Sequence, residues 1–234
     1  MSKGRCLGLV GGLGVGATIH YYQKLADAHA GRGRTMDIVI AHAETSRVFE
    51  YVRACDPGGL AEYLNCFLRR LKAAGAEVGV IPAVTPLYCL LELAASSPLP
   101  LISMADAVAA ELAVQAARRV AVFGTRYVIE SGFYGLLKGV EVICPSPDEA
   151  DLIHGIYTEL LRQGRGSDEQ HRQLTALAQT LMGRDHVDTV LIAGTDLSLI
   201  FNESNTHFPH IDCATVHLRA IVTALLDDAP PVSR

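Results

Sequence analysis

The chain alternates short runs of β-branched and aliphatic residues with longer stretches whose apolar positions recur every three or four residues. The short runs predict strands at Cys6–Val10, Asp37–Ala41, Val78–Ile81, Leu101–Met104, Arg119–Phe123, Val140–Ile143 and Thr189–Ile192. The longer stretches predict helices over Ala17–Ala30, Gly59–Ala74, Pro86–Ala95, Ala105–Ala116, Glu130–Lys138, Asp148–Arg162, Glu169–Met182 and Ala214–Asp227. Several strands are continuous apolar runs instead of alternations, as in a parallel sheet covered on both faces. Strand–helix alternation with short connections then predicts a doubly wound α/β architecture. The helix ends agree: Pro86 suits a first helical position, and Ser146-Pro147-Asp148 is a start signal.

A weak internal repeat runs through this pattern. Cys6–Val10 followed by Gly11-Gly12 resembles Val120–Phe123 followed by Gly124-Thr125, 113 residues later. Val78–Ala83 followed by Val84-Thr85 resembles Val190–Gly194 followed by Thr195, 110 residues later. Two matches at nearly one offset predict two similar halves, although Gly/Val/Ile-rich strands also resemble one another by chance. Paired halves would turn their strand C-termini toward a shared cleft, where open α/β sheets bind ligands.

Composition narrows the function. The 234 residues are half hydrophobic and 19% charged, with a net charge of −5, so the chain can bury a large core. An acidic balance gives no basic field for nucleic acid or a membrane surface, and with no Trp and few aromatics there is no base-stacking platform. The six cysteines, at positions 6, 55, 66, 89, 144 and 213, include no CxxC pair and are expected to be reduced thiols. The uncharged run Cys6–Gln23 carries five glycines and turns polar at His20, so neither an export signal nor a membrane span is expected, and a cytoplasmic location is.

Gly12-Leu-Gly14-Val-Gly16-Ala17 fits the glycine pattern of a dinucleotide turn between a strand and a helix. That role also needs an acidic residue near the C-terminal end of the second strand. Asp37 instead begins that strand, and Glu44 lies beyond it. The pattern therefore favours a turn whose N–H groups, with the helix N-terminus, hold a small anion such as a carboxylate. His207 and His210 have a metal-like spacing but no third ligand in fixed relation to them, so no metal is expected.

Gly8-Leu-Val-Gly11-Gly12-Leu-Gly14-Val-Gly16-Ala17-Thr18, with Tyr21-Tyr22 after it, resembles the opening of the aspartate/glutamate racemase family. Phe123-Gly124-Thr125-Arg126-Tyr127, with Ser131, Phe133 and Tyr134, is similar to that family's central strand-turn-helix. His154, Ile156 and Tyr157 fit a later helix, and Asp212 with His217 the final strand-to-helix turn. The resemblance implies a pseudo-symmetric α/β fold of two parallel-sheet domains, residues 1–100 with 215–234 and residues 101–214. It also implies a homodimer and a cofactor-independent isomerase that moves a proton at carbon on a small carboxylate or amino acid.

Racemisation of this kind uses a base on one face of the substrate and an acid on the other. The family supplies two thiols, in Cys-Asn-Thr and Gly-Cys-Thr-Glu turns. The matching stretches here are Pro82-Ala83-Val84-Thr85-Pro86 and Ala193-Gly194-Thr195-Asp196, so Ala83 and Gly194 stand at the two thiol positions. Neither can carry a proton. Cys89 and Cys213 are the nearest thiols, but aligning either one breaks the neighbouring Thr matches.

Three side chains remain as candidate catalytic groups. They are Asp196, a potential single base or a helix N-cap, and the hydroxyls of Thr85 and Thr195. The resemblance and the turn chemistry nominate Gly12, Gly14, Thr18, Arg47, Val84, Thr125 and His217 as substrate-binding positions. Arg47 would offer a carboxylate its guanidinium fork, or else is a solvated surface residue. Gly194 is expected to leave room for a larger substrate or a water. A catalytically silent carboxylate-binding protein and a one-base lyase or decarboxylase remain open alternatives.

Overall fold

The computed structural model describes residues 4–202 and 204–227. The chain forms two units, one running through Pro82 with Pro86–Ser103 and the residues from His217 on, the other Ala83–Thr85 with Met104–Val216. The first unit carries β1 (Leu7–Gly11), α1 (Val15–Gly31), β2 (Ile38–His42), α2 (Thr45–Arg53), α3 (Pro57–Ala73), β3 (Val78–Val80) and α4 (Leu90–Ser96). The second carries α5 (Met104–Gln115), β4 (Arg119–Gly124), α6 (Arg126–Glu130), β5 (Glu141–Ile143), α7 (Pro147–Gln163), α8 (Asp168–Asp185), β6 (Thr189–Ala193) and β7 (His210–Asp212). Helix α9 (Cys213–Leu226) begins in the second unit and continues in the first.

The two sheets share a plan. In the first the strand order is β2-β1-β3, in the second β5-β4-β6-β7, and every pairing is parallel. Thus β1 and β4 are central in the same way, each followed in the chain by the strand on one side and later by the strand on the other. This is the α/β fold that the alternating pattern and the repeat imply. The continuous apolar strands are explained directly, because β1, β3 and β6 are buried at every residue.

Helix faces and caps explain the layers over the sheets. Along α3, Leu60, Leu64, Leu68 and Leu71 are buried at helical spacing. Asp56 caps that helix, accepting the Gly59 N–H at 2.8 Å, with Pro57 at the first helical position. Capping boxes Ser146/Glu149 and Ser167/Gln170 start α7 and α8. In the second unit Phe123, Ile153, Tyr157, Leu160, Leu174, Leu181, Ile192 and Leu197 form one core cluster.

Three elements differ from the sequence expectation. The strand expected over Leu101–Met104 is reduced to a single parallel bridge between Gly79 and Leu101, because α5 already begins at Met104. The helix expected over Glu130–Lys138 lies earlier, as α6. Gly132 and Tyr134 adopt left-handed conformations (φ 57° and 58°), which an α-helix cannot continue through. The segment from Pro86 starts as a 3-10 turn over Thr85–Cys89 before α4. Helix α2 and the three-residue β7 were not among the expected elements; both are too short for a strong period.

Candidate functional site

In the second unit, Gly194 stands at the C-terminal end of β6 and begins a 3-10 turn, Thr195–Leu199, with the Leu197 N–H donating to the Gly194 carbonyl at 2.8 Å. No side chain caps this turn, and the N-cap position is Gly194, so the capping role weighed for Asp196 is not the one it plays. The Asp196 side chain is buried, 1% exposed, and the Tyr157 hydroxyl donates to its Oδ2 across 3.5 Å. Tyr157 comes from α7, one turn beyond His154. Burial, and then the neighbouring Asp196 charge, push the Tyr157 phenol well above its ordinary range, so it stays protonated and remains a donor.

The room expected at Gly194 is already filled. A Cβ there would stand 2.9 Å from Cδ2 of Tyr157 and 3.3 Å from its Cζ, and closer still to its Cε2. The Tyr157 ring therefore occupies the space a side chain at position 194 would need.

Neighbouring strand ends add hydroxyls. Thr125, after β4, is 2% exposed and caps α6 by accepting the Val128 N–H at 3.4 Å. That bond leaves its own O–H proton uncommitted. The Arg126 N–H donates to Nδ1 of His154 at 3.2 Å, so the neutral ring carries its proton on Nε2. Burial, and then the Arg126 charge, lower the His154 pKa from 6.5. Thr195 is buried, as are Ala83, Val84 and Thr85, which belong to this same unit.

The thiols of Cys89 and Cys213 are both buried. Burial pushes Cys89 up to about 12 and Cys213 well above its ordinary value, and the Cys89 thiol donates to the Pro86 carbonyl at 3.3 Å. A thiol becomes a base only as the thiolate.

The first unit holds the other nominated residues. After β1, Gly12 and Gly14 have positive φ (85° and 127°), and a Cβ on Gly12 would collide with the Ala43 carbonyl and stand 2.7 Å from the His42 ring. The Gly12 N–H donates to the Thr18 hydroxyl at 3.0 Å, that hydroxyl donates to the Gly14 carbonyl at 2.9 Å, and the Thr45 hydroxyl donates to the Gly12 carbonyl at 2.9 Å. Thr18 is thus the staple of the turn, and the Gly12 N–H is spent on it. Helix α1 has no side-chain hydrogen bond at its N-cap, Gly14. Asp37 precedes β2 and lies at the opposite strand end from this turn, so it cannot hold a ribose there.

Arg47 sits in the first turn of α2, half exposed, paired with Glu50 on its own helix at 2.7 Å and 5.7 Å from the Tyr51 ring centroid. His217 has a different duty from the substrate contact nominated for it. It is fully buried, its Nε2–H donates to the Ile102 carbonyl at 2.9 Å, and its Nδ1 accepts the Tyr21 hydroxyl at 3.1 Å. Burial lowers its pKa to about 4, so it is neutral at physiological pH. Asp212, nominated at the same turn, caps α9 by accepting the Ala214 N–H and the Thr215 hydroxyl. Among the described residues no cluster of three or more His, Cys, Asp or Glu could hold a metal, and no helix is long and apolar enough to cross a membrane.

Two parallel sheets on a common plan, with hydroxyls and a buried carboxylate at strand C-termini of the second unit, define a doubly wound α/β protein. Residues 10–221 match the family model for Asp/Glu/hydantoin racemases, and the chain belongs to that family. It is similar to a candidate Asp/Glu racemase from Yersinia pestis at 28% identity, over 93% of this chain and 97% of that one, with a TM-score of 0.79. An aspartate racemase homologue from Pyrococcus horikoshii OT3 shares the fold at 23% identity, over 93% and 97% of the two chains, with a TM-score of 0.77. Arylmalonate decarboxylase shares it at 16% identity, over 97% and 96%, with a TM-score of 0.54.

Sequence reasoning singled out Asp196 but gave Tyr157 no role. The two are 39 residues apart on different elements, and Tyr157 falls in the same helical stripe as Ile153, Ile156 and Leu160. Its match to a family helix was the one signal in the sequence, and the position of its hydroxyl is what separates it from an ordinary core aromatic.

Proposed function

We propose that this protein is a cofactor-independent, isomerase-type enzyme that moves a proton at carbon on a small carboxylate or amino acid, using one base, Asp196, where its family uses two thiols. The observation that carries this reading is the buried Asp196 carboxylate beside the Tyr157 hydroxyl, two residues past the vacated Gly194 position. An α-proton is very weakly acidic, so a base must be close and shielded from water to remove it. Asp196 takes the proton, the electron pair left on carbon delocalises into the substrate's own carboxyl group, and the protonated Asp196 then returns a proton to the same face of the carbon framework. Thr85, Thr125 and Thr195 supply hydroxyls for a substrate carboxylate in the same unit. Ala83 and Val84 carry no ionisable group, so the chemistry is one-sided: exchange, same-face isomerisation or protonation after loss of a leaving group. The reading includes a homodimer in the cytoplasm.

The test is deuterium incorporation from heavy water into a panel of small mono- and dicarboxylates and amino acids. Wild type is expected to exchange at least one of them, and Asp196→Asn to lose about 10²-fold or more of that rate with an unchanged melting temperature. Chiral chromatography is expected to find no useful racemisation of aspartate or glutamate. Unchanged exchange in Asp196→Asn removes Asp196 as the base. No exchange from wild type, combined with thermal stabilisation by the same acids, makes the protein a silent carboxylate binder.

A further inference from the structure

The backbone at Gly194 is extended (φ −151°, ψ 110°), a conformation open to any residue, so conformation does not explain the glycine. The Tyr157 ring does. A Cβ at position 194 would come within 2.9 Å of ring carbon Cδ2, closer than real Cβ contacts come. That ring cannot step aside cheaply, because it is 6% exposed and packed in the core cluster with Ile153, Leu160, Leu197 and Ile200. A ring at 157 in this position and a side chain at 194 are therefore mutually exclusive.

The same side chain reaches Asp196. The ionisable groups facing Tyr157 are Asp196 from the turn after β6, Tyr134 from the turn after α6, and Cys213 from the head of α9. Burial holds Tyr157 and Cys213 in their neutral forms, so the Tyr157 hydroxyl meets Asp196 as a proton donor and not as a second negative charge. At 3.5 Å the contact is long for a hydroxyl–carboxylate bond. Catalytic hydrogen bonds are commonly loose before substrate arrives.

We infer that the Tyr157 hydroxyl positions Asp196 as the single base, while its ring, packed against Gly194, holds that hydroxyl in place. This rests on the reading of Asp196 given above, and it makes Tyr157 a positioning residue acting through that carboxylate.

Tyr157→Phe separates the two roles, because phenylalanine keeps the ring over Gly194 and removes only the hydroxyl. Two measurements follow. In the exchange assay, Tyr157→Phe is expected to lower kcat roughly tenfold, the scale of one hydrogen bond to a charged group, with KM little changed and the pH–rate profile displaced to higher pH. In 13C NMR of carboxyl-labelled protein, with the Asp196 signal assigned by its loss in Asp196→Asn, the Asp196 titration midpoint is expected to move to higher pH in Tyr157→Phe. A purely structural ring would change neither the profile nor the midpoint, and that result overturns the inference. If Asp196→Asn abolishes exchange while Tyr157→Phe leaves rate and profile intact, the one-base reading stands and the role of Tyr157 falls. If wild type exchanges no acid, the one-base reading falls, and the NMR midpoint alone decides whether Tyr157 holds Asp196.

Discussion

Two glycine turns, one after β1 and one after β6, follow strands of five fully buried residues, yet their glycines exist for different reasons. After β1 the backbone itself demands them, because Gly12 and Gly14 have φ of 85° and 127°. There the polar groups of the turn are consumed internally, by Thr18 bonding Gly12 and Gly14 and by Thr45 bonding Gly12. After β6 the backbone is ordinary and a neighbour's ring demands the glycine. The polar groups of that turn come from separate elements, Asp196 from the turn and Tyr157 from α7. The first arrangement fixes a loop. The second places a carboxylate and a proton donor side by side.

The largest effect that sharpens this contrast comes from the first unit, through His217. The group is neutral in the folded protein down to about pH 4, whereas an unfolded histidine protonates near 6.5. Between those values the unfolded chain binds the extra proton, so stability is complete above about 6.5 and is lost as pH falls toward 4. The full loss is about 3 kcal/mol. Urea unfolding at pH 7.5, 6 and 4.5 measures it, and His217→Gln is expected to flatten that pH dependence while costing stability at neutral pH. An unchanged slope in the variant would show that another buried group carries the acid sensitivity.

Next in size is Gly194→Cys, which puts a thiol where the sequence resemblance expects one. Overpacking against Tyr157 is expected to cost about 1–3 kcal/mol, read as a lowered denaturation midpoint, without restoring racemisation of aspartate or glutamate. In a Tyr157→Ala background the same cysteine is expected to cost much less than it does alone, a coupling that a double-mutant cycle resolves. Additive costs would mean that the ring does not exclude the side chain. Smaller again is Thr18→Val, which leaves the Gly12 N–H without its acceptor and costs about 1–2 kcal/mol. The matching loss at the other turn, Tyr157→Phe, is expected to cost less stability and more activity, and a reversal of that order would erase the distinction between the turns.

These differences mark what the sequence could disclose. Fold class was legible because continuous apolar strands and helical spacing are local, and the common offset of the two repeats maps onto two sheets with β1 and β4 central. Capped helices such as α7 were readable from Ser146-Pro147-Asp148. Elements decided by a few residues were not: the Leu101 strand shrank to one bridge, and Gly132 with Tyr134 moved the helix after β4. At the site, Asp196 was visible because it follows a strand end. The reason for Gly194 was invisible, since a glycine required by φ and a glycine required by a distant ring are written with the same letter. His217 misled for a related cause. Its position matched a family turn, but its environment, Tyr21 and the Ile102 carbonyl, comes from 196 and 115 residues away.

The smallest stability effect belongs to Arg47, where the first unit's claim on a ligand is tested. Its guanidinium is half exposed and bonded to Glu50 one turn along the same helix, a pair worth about 0.3–0.5 kcal/mol. Arg47→Ala should therefore leave the melting temperature of the free protein almost unchanged. Its effect should appear only with ligand. Small carboxylates that stabilise wild type, by about 2.7 kcal/mol at a hundredfold excess over Kd, are expected to stabilise Arg47→Ala less. Arg47→Lys should fall between the two, because an ammonium offers a point charge where guanidinium offers a fork. Glu50→Gln is the informative companion. Glu50 holds the Arg47 fork in the free protein and must yield it to an incoming carboxylate, so neutralising Glu50 should strengthen the ligand response as Arg47→Ala weakens it. Equal responses in all four proteins would make Arg47 a surface pair and leave carboxylate binding to hydroxyls and helix N-termini.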